Sequence, residues 1–192
     1  MKFGIWIPNC RDLATPEIIR HTALRAEQLG YDSVFVSDHV VVPNAYVDRF
    51  GAGIYDPLIT LSVLAGVTSR VLLGTTVLIV PYRNPVLTAK IVASLDALSG
   101  GRVVLGIGAG WVPEESAMLG VPFAERGAMT DEYLAAMREL WTSPAPSFAG
   151  RGSRRTSRKE CGSVCACAGA LARFSACLRS PYVTAENQAM SC

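Results

Sequence analysis

Residues 98–111 read LSGGRVVLGIGAGW, and this stretch decides the fold. It combines a helix end, a Ser-Gly-Gly turn, a short apolar run and a glycine-lined exit that ends in Trp111. Glycines where a strand ends let backbone amides approach a flat ring or a phosphate, because no Cβ intervenes. The spacing is not the dinucleotide fingerprint G-x-G-x-x-G, since Trp111 occupies the third glycine position counted from Gly106. The stretch therefore predicts either a cofactor-binding strand-to-helix junction or a plain turn.

The same alternation of apolar runs and helix starts fills the chain before residue 142. Caps followed by proline at Thr15-Pro16, Asp56-Pro57 and Asn84-Pro85 each predict the start of a helix, and a last helix is predicted over 127–141. Apolar runs predict buried parallel strands over 3–7, 33–36, 71–73 continuing at 77–80, and 103–107. Four strands alternating with four helices indicate right-handed βαβ units, in an open sheet or in a (β/α)₈ barrel.

Composition divides the chain into a body over residues 1–143 and a tail over residues 144–192. Residues 1–150 carry 11 Lys and Arg against 14 Asp and Glu, whereas residues 151–192 carry 7 against 2. Five of the six cysteines lie between Cys161 and Cys192, so the body shows no disulfide framework. No apolar run approaches the ~18 residues that span a bilayer, and the opening residues lack a signal-peptide pattern. We therefore expect a cytoplasmic protein with no membrane partner.

The basic, Cys/Ser/Arg-rich tail resumes no strand pattern, and it is expected to be disordered or to derive from a shifted reading frame. Its C-x₃-C-x-C spacing does not fit the paired knuckles of structural zinc sites, so no metal is predicted. Only Phe174 and Tyr182 are aromatic after Phe148, which argues against binding of single-stranded nucleic acid. No nucleic-acid partner is expected.

Further motifs accompany the glycine-rich stretch in a definite order. They are Ser37-Asp38-His39, Gly74-Thr75-Thr76-Val77, PYRNP at 81–85, GVPF at 120–123, Arg126-Gly127 and DEYL at 131–134. In this order and spacing, over roughly residues 1–150, the chain resembles the bacterial luciferase-like superfamily of flavin- and deazaflavin-dependent oxidoreductases. It is most similar to the branch that uses coenzyme F420.

The resemblance implies a TIM-barrel type (β/α)₈ fold, of which this chain holds about the first four β/α units and an irregular C-terminal tail. A whole barrel normally needs about 250 residues. Four parallel strands alone leave two edges with unpaired backbone groups. A homodimer, or a complementing half-barrel chain, is therefore the expected partner besides a small-molecule substrate.

The resemblance also implies the site residues. His39 is the expected catalytic residue, beside the reactive C5 region of the deazaflavin ring, where imidazole can give or take the proton that accompanies hydride transfer. A cis peptide bond is implied between Thr76 and Val77. The expected cofactor-binding residues are Asp38, Thr76, Val77, Gly108, Ala109, Gly110 and Trp111. F420 is the expected cofactor, with FMN as the alternative.

The acid on the substrate side is left open by the sequence. Some deazaflavin dehydrogenases place a glutamate where Trp111 stands in this chain. Glu114 and Glu115 follow at a helix start, where they either reach the pocket or are plain acids that the helix dipole favours. Arg83 either reaches a ligand or pairs with a neighbouring carboxylate, and His21 is interpreted as a surface or packing histidine.

The predicted function is hydride transfer between deazaflavin C5 and a small organic substrate. Deazaflavin reacts poorly with oxygen, so dehydrogenase or reductase chemistry is favoured. Two alternatives stay open: an FMN-dependent monooxygenase of the same fold, and an inactive half-barrel fragment or interaction subunit.

Overall fold

Six short parallel strands form the framework of the chain in the computed structural model, which describes residues 1–148 and 150. The predicted tail over 144–192 lies almost entirely outside these described residues. The strands are β1 (Gly4–Trp6), β2 (Ser33–Val36), β3 (Leu72–Thr75), β4 (Leu78–Ile79), β5 (Val103–Val104) and β6 (Ile107–Gly108). Strands β1, β2, β3 and β5 form one sheet in that order, and β4 pairs with β6. All of these pairings are parallel, as the alternating pattern predicts.

Helices begin at the predicted caps. The Thr15 hydroxyl accepts a hydrogen bond from the Ile18 amide, and the carboxylate of Asp56 and the amide oxygen of Asn84 each accept two amides of the turn that follows. These bonds satisfy donors that a helix start otherwise leaves unpaired. The helices are α1 (Pro16–Gln28), α2 (Val47–Phe50), α3 (Pro57–Val67), α4 (Pro85–Leu98), α5 (Pro113–Met118) and α6 (Arg126–Thr142). No helix of the described residues is both long and apolar enough to cross a membrane.

One face of the sheet packs against helices and forms the core. Val34, Leu73 and Val103 lie side by side in register on neighbouring strands, and all three are buried there. Phe35 lies on the opposite face, where it fills the space that a side chain at Gly74 would need. Successive residues of a strand therefore point to opposite faces of the sheet, and the face covered by helices contains the apolar core.

The LSGGR turn between α4 and β5 is held by Arg102. Gly100 and Gly101 both have positive φ angles, of 75° and 82°, which glycine adopts without steric cost. The Arg102 guanidinium then donates to the carbonyls of Ser99, Val71, Ala65 and Thr68 and to the Thr68 hydroxyl. The turn thereby fastens the start of β5 to the end of α3.

The run 103–107, which the sequence predicts as one strand, is divided into β5 and β6 in the structure. The division lies at Gly106, whose carbonyl accepts the Thr75 hydroxyl at 2.6 Å and the Leu78 amide at 2.8 Å. A Cβ on Gly106 would overlap the Thr75 carbonyl oxygen. The Thr76–Val77 peptide bond is cis, as the resemblance implies. The predicted run 77–80 is likewise shortened, because a 3₁₀ turn that includes Pro81 begins at Val80.

Gly106→Ala is expected to lower the free energy of unfolding by about 1–3 kcal/mol, because the new Cβ has no room at the junction. Urea unfolding followed by circular dichroism measures this change. Gly127→Ala is the matched control, because a Cβ there meets nothing within 4 Å and alanine is favoured inside a helix by about 0.5–1 kcal/mol. A Gly106→Ala protein as stable as the wild type would contradict this account of the junction.

Candidate functional site

Three predicted segments meet at the carboxyl-terminal edge of the strands. The rings of His39, after β2, and Trp111, after β6, lie with centroids 6.3 Å apart. Val77, directly before β4, packs against Gly108 in β6. The side chains of Thr76, Val77 and Trp111 are exposed at this edge, the last two by 40% and 48%. In parallel α/β folds this edge is where ligands bind, so the structure assembles one candidate site from distant parts of the chain.

Asp38 is a buried carboxylate with fixed partners. Its Oδ2 accepts the Ile79 amide at 2.8 Å and Arg83 Nη1 at 2.6 Å, and its Oδ1 accepts Arg83 Nη2 at 2.8 Å. Arg83 also contacts Asp56 at 2.9 Å, so the sequence-based alternative of pairing with a carboxylate is confirmed. Asp38 thus ties the end of β2 to the start of the 79–83 segment. Its predicted contact with a cofactor stays a prediction.

Burial raises the pKa of the Asp38 carboxyl, and the hydrogen bonds and charge of Arg83 oppose that rise. The two carboxylates around Arg83 raise the pKa of its guanidinium against the effect of burial. A bidentate pair of this kind is costly to break on one side, because the remaining charge is left buried without a partner.

Glu115 holds His39. Its carboxylate is fully buried; Oε2 lies 2.7 Å from His39 Nδ1, and Oε1 accepts the amides of Val40 and Val41 at 2.7 and 3.1 Å. Of the two alternatives that the sequence leaves open, the plain helix-start acid is therefore wrong for Glu115, whose carboxylate contacts the predicted catalytic His39. The side chain of Glu114 is exposed.

The sequence does not distinguish Glu115 from Glu114 as the acid that reaches the site, because its partner lies 76 residues away. The adjacent acids Glu114 and Glu115 look equivalent on the chain, yet one residue of displacement along a helix rotates a side chain by about 100°. Burial is what distinguishes Glu115 from Glu114, and it is known only once α5 is placed in the structure.

An aromatic group of Tyr46, Phe50 and Trp111 lies next to His39. Phe50 lies 4.9 Å from the His39 ring, and Tyr46 and Trp111 meet edge to face at 5.4 Å. The Arg49 guanidinium lies over the rings of Phe50 and Trp111, at 5.2 and 5.6 Å. This group had no counterpart in the sequence analysis. Two of its rings, those of Phe50 and Trp111, pack against the His39 ring.

The glycines of the 106–111 stretch are required by packing. A Cβ on Gly108 would lie 2.5 Å from a Val77 methyl, and one on Gly110 would lie 2.8 Å from the Tyr82 hydroxyl. Gly110 also has a positive φ of 82°. Burial and the nearby Glu115 charge raise the pKa of Tyr82 to about 12, so its hydroxyl stays neutral at ordinary pH. Contacts with Gly108, Ala109 and Gly110 as cofactor-binding residues stay predictions.

The chain belongs to the luciferase-like monooxygenase family, whose family profile matches residues 1–161. One relative is the F420-dependent glucose-6-phosphate dehydrogenase of Intrasporangium calvum, 38% identical over 156 residues, with 78% of this chain and 45% of the relative covered. This chain spans about half the length of the curated relatives that it matches.

Solved structures give the same fold. An F420-dependent secondary alcohol dehydrogenase, in complex with an F420-acetone adduct, superposes with a TM-score of 0.65 at 29% identity, over 79% of this chain and 46% of the other. The FMN-bound oxygenating constituent of a Pseudomonas putida 3,6-diketocamphane monooxygenase has a TM-score of 0.66 at 23% identity, over 79% and 42%. The predicted fold class is confirmed: an α/β chain with a parallel sheet that covers part of a luciferase-like TIM barrel.

Arg83→Met is expected to destabilise the protein by about 3–5 kcal/mol at neutral pH, since Asp38 would keep its burial and lose its ion pair. The variant raises the pKa of Asp38 further, so its folded state holds a proton that the unfolded state releases. The free energy of unfolding then falls as pH rises between the unfolded and folded pKa values, and the loss is greater at about pH 8 than at about pH 5.

Denaturant unfolding of both proteins at the two pH values measures this dependence. Arg25→Met is the control, because Arg25 lies exposed near the end of α1 and surface changes of this kind stay within about 0.5 kcal/mol. If Arg83→Met lowered the free energy of unfolding equally at both pH values, the account in which Arg83 compensates the buried charge of Asp38 would be wrong.

Proposed function

We propose that this chain supplies the His39 side of the active site of an F420-dependent oxidoreductase. The full reaction is hydride transfer between the deazaflavin and a small organic substrate. The observation that carries the proposal is the meeting of His39, the Thr76–Val77 segment and Trp111 at the carboxyl-terminal edge of the strands. The relatives that bind F420 support the choice of cofactor.

The surface at this edge fits a flat heteroaromatic ring. Val77 and Trp111 expose apolar area beside it, and Gly108 carries no side chain that would fill the space next to Val77. Among the described residues no group of three or more His, Cys, Asp or Glu side chains could hold a metal ion. An apolar platform next to an imidazole suits a planar ring with polar edges.

Each residue then has a defined task. Thr76, Val77, Trp111 and the 108–110 backbone would hold the ring of the cofactor. Deazaflavin supplies a carbon centre that accepts or donates hydride. His39 would exchange the accompanying proton, while Asp38 and Arg83 hold the 79–83 segment in place. General acid–base catalysis of this kind contributes typically about 10²–10⁴ in rate.

Titration of the purified chain with F420, and separately with FMN, tests the proposal through cofactor fluorescence and the melting temperature. F420 at about 100 times its Kd should stabilise the folded chain by about 2.7 kcal/mol, which raises Tm by roughly 5–10 °C. Saturable binding of FMN in place of F420 would favour a flavin monooxygenase. No binding of either would favour the non-enzymatic interaction subunit.

Two variants separate binding from chemistry. Trp111→Ala should weaken F420 binding about tenfold, a change of about 1.4 kcal/mol for lost ring contact. Tyr31→Ala is the matched control, since Tyr31 lies before β2 at the opposite edge of the sheet, and its affinity should stay within about twofold of wild type. His39→Gln should keep the affinity for F420 and lose about 10²–10⁴ of any turnover.

A further inference from the structure

We propose that Glu115 is a positioning residue that holds the neutral form of His39 in the Nδ1–H tautomer, so that Nε2 is the proton acceptor of the site. The tautomer follows from the contacts of the two side chains. Its use in catalysis rests on the function proposed above.

The direction of the Glu115–His39 hydrogen bond follows from the other partners of the carboxylate. Oε1 already accepts the amides of Val40 and Val41, which places the second oxygen, Oε2, against His39 Nδ1 at 2.7 Å. An ionised carboxylate only accepts hydrogen bonds, so Nδ1 must carry the hydrogen. In a neutral imidazole the other nitrogen then carries a lone pair.

The second nitrogen of His39, Nε2, is not fully buried by the residues around it. Within the part of the chain that the structure describes, His39 Nε2 forms no hydrogen bond, and no buried side-chain nitrogen or oxygen there lacks a partner. Nε2 is therefore reachable from the site, although Phe50 and Trp111 pack on the ring. Glu115 thus leaves His39 with a single basic atom, held at one place.

A lone pair at Nε2 suits a substrate that must lose a proton as it loses hydride. An alcohol is such a substrate: F420, when bound, would supply the hydride acceptor, and His39 Nε2 would take the hydroxyl proton. Glu115 is then the residue that keeps His39 basic at Nε2.

Glu115→Gln reverses the polarity of this hydrogen bond. The amide oxygen of the glutamine stays with the amides of Val40 and Val41, because only oxygen can accept them. The NH₂ group then takes the place of Oε2 and donates to Nδ1, which forces the hydrogen of His39 onto Nε2. One isosteric change therefore switches the tautomer and removes the base.

Long-range ¹H–¹⁵N correlation spectra of the [¹⁵N]histidine-labelled full chain measure the tautomer directly. His39 and His21 are the two histidines of the sequence, and His21→Asn assigns the signals. At a pH where the ring signals no longer change, wild-type His39 should show a protonated Nδ1 and an unprotonated Nε2. The exposed His21 should show the reverse, the form that free imidazole side chains prefer.

The variants decide the cause. Glu115→Gln should exchange the two His39 shifts, and Glu114→Gln, at the exposed neighbour, should leave them unchanged. The proposal would be overturned by a wild-type His39 protonated at Nε2, or by His39 ¹⁵N chemical shifts that do not change in Glu115→Gln. If the Gln variant fails to fold, the wild-type spectrum alone still distinguishes the two tautomers.

Kinetics test the catalytic part separately. If the chain oxidises an alcohol with F420, Glu115→Gln should lower kcat about 100-fold and leave KM within about threefold, because the base and not the binding surface is lost. Equal kcat values would overturn the catalytic role. No turnover by wild type, together with the expected spectra, would count against the proposed function and leave the Glu115–His39 tautomer established.

Discussion

The contact between Gly106 and Thr75 is the constraint on which the rest of the site depends. The Gly106 carbonyl accepts both the Thr75 hydroxyl and the Leu78 amide, and no side chain fits at this glycine. One strand therefore ends there and a second pair, β4 with β6, begins beyond the main sheet. The break displaces Val77 and Gly108 to the edge of the strands. A site made from β2, β4 and β6 exists because the sheet divides there.

Two buried carboxylates convert that edge into a rigid arrangement. Asp38 joins the end of β2 to the 79–83 segment through Arg83 and the Ile79 amide, and Glu115 joins the loop after β2 to α5 through His39 and two amides. Burying such charges is costly unless hydrogen bonds surround them, and in both places they do. The buried Glu115 carboxylate orients His39, the imidazole that the proposed chemistry needs.

Family membership and the site geometry contribute different parts of the functional argument. The family profile and the relatives identify a luciferase-like chain with F420-dependent and flavin-dependent neighbours. The geometry adds what the relatives' names do not contain, namely an unpartnered His39 Nε2 among the described residues and a buried acid behind the ring. The chain spans about half the length of the matched relatives. We therefore propose that it supplies only the His39 part of an active site.

Local signals in the sequence determined the helices and the parallel strands, and the resemblance to the luciferase-like family indicated the segments that meet at the edge. Caps such as Thr15 and Asp56 act over three residues, and strand burial shows as an apolar run, so neighbouring letters suffice. Tertiary structure decided the split at Gly106, the reason for Gly108, and the different fates of Glu114 and Glu115. These depend on atoms that lie 31 to 76 residues apart along the chain. A carboxylate acquires its role only when folding buries it against a particular donor, and the sequence by itself does not display that contact.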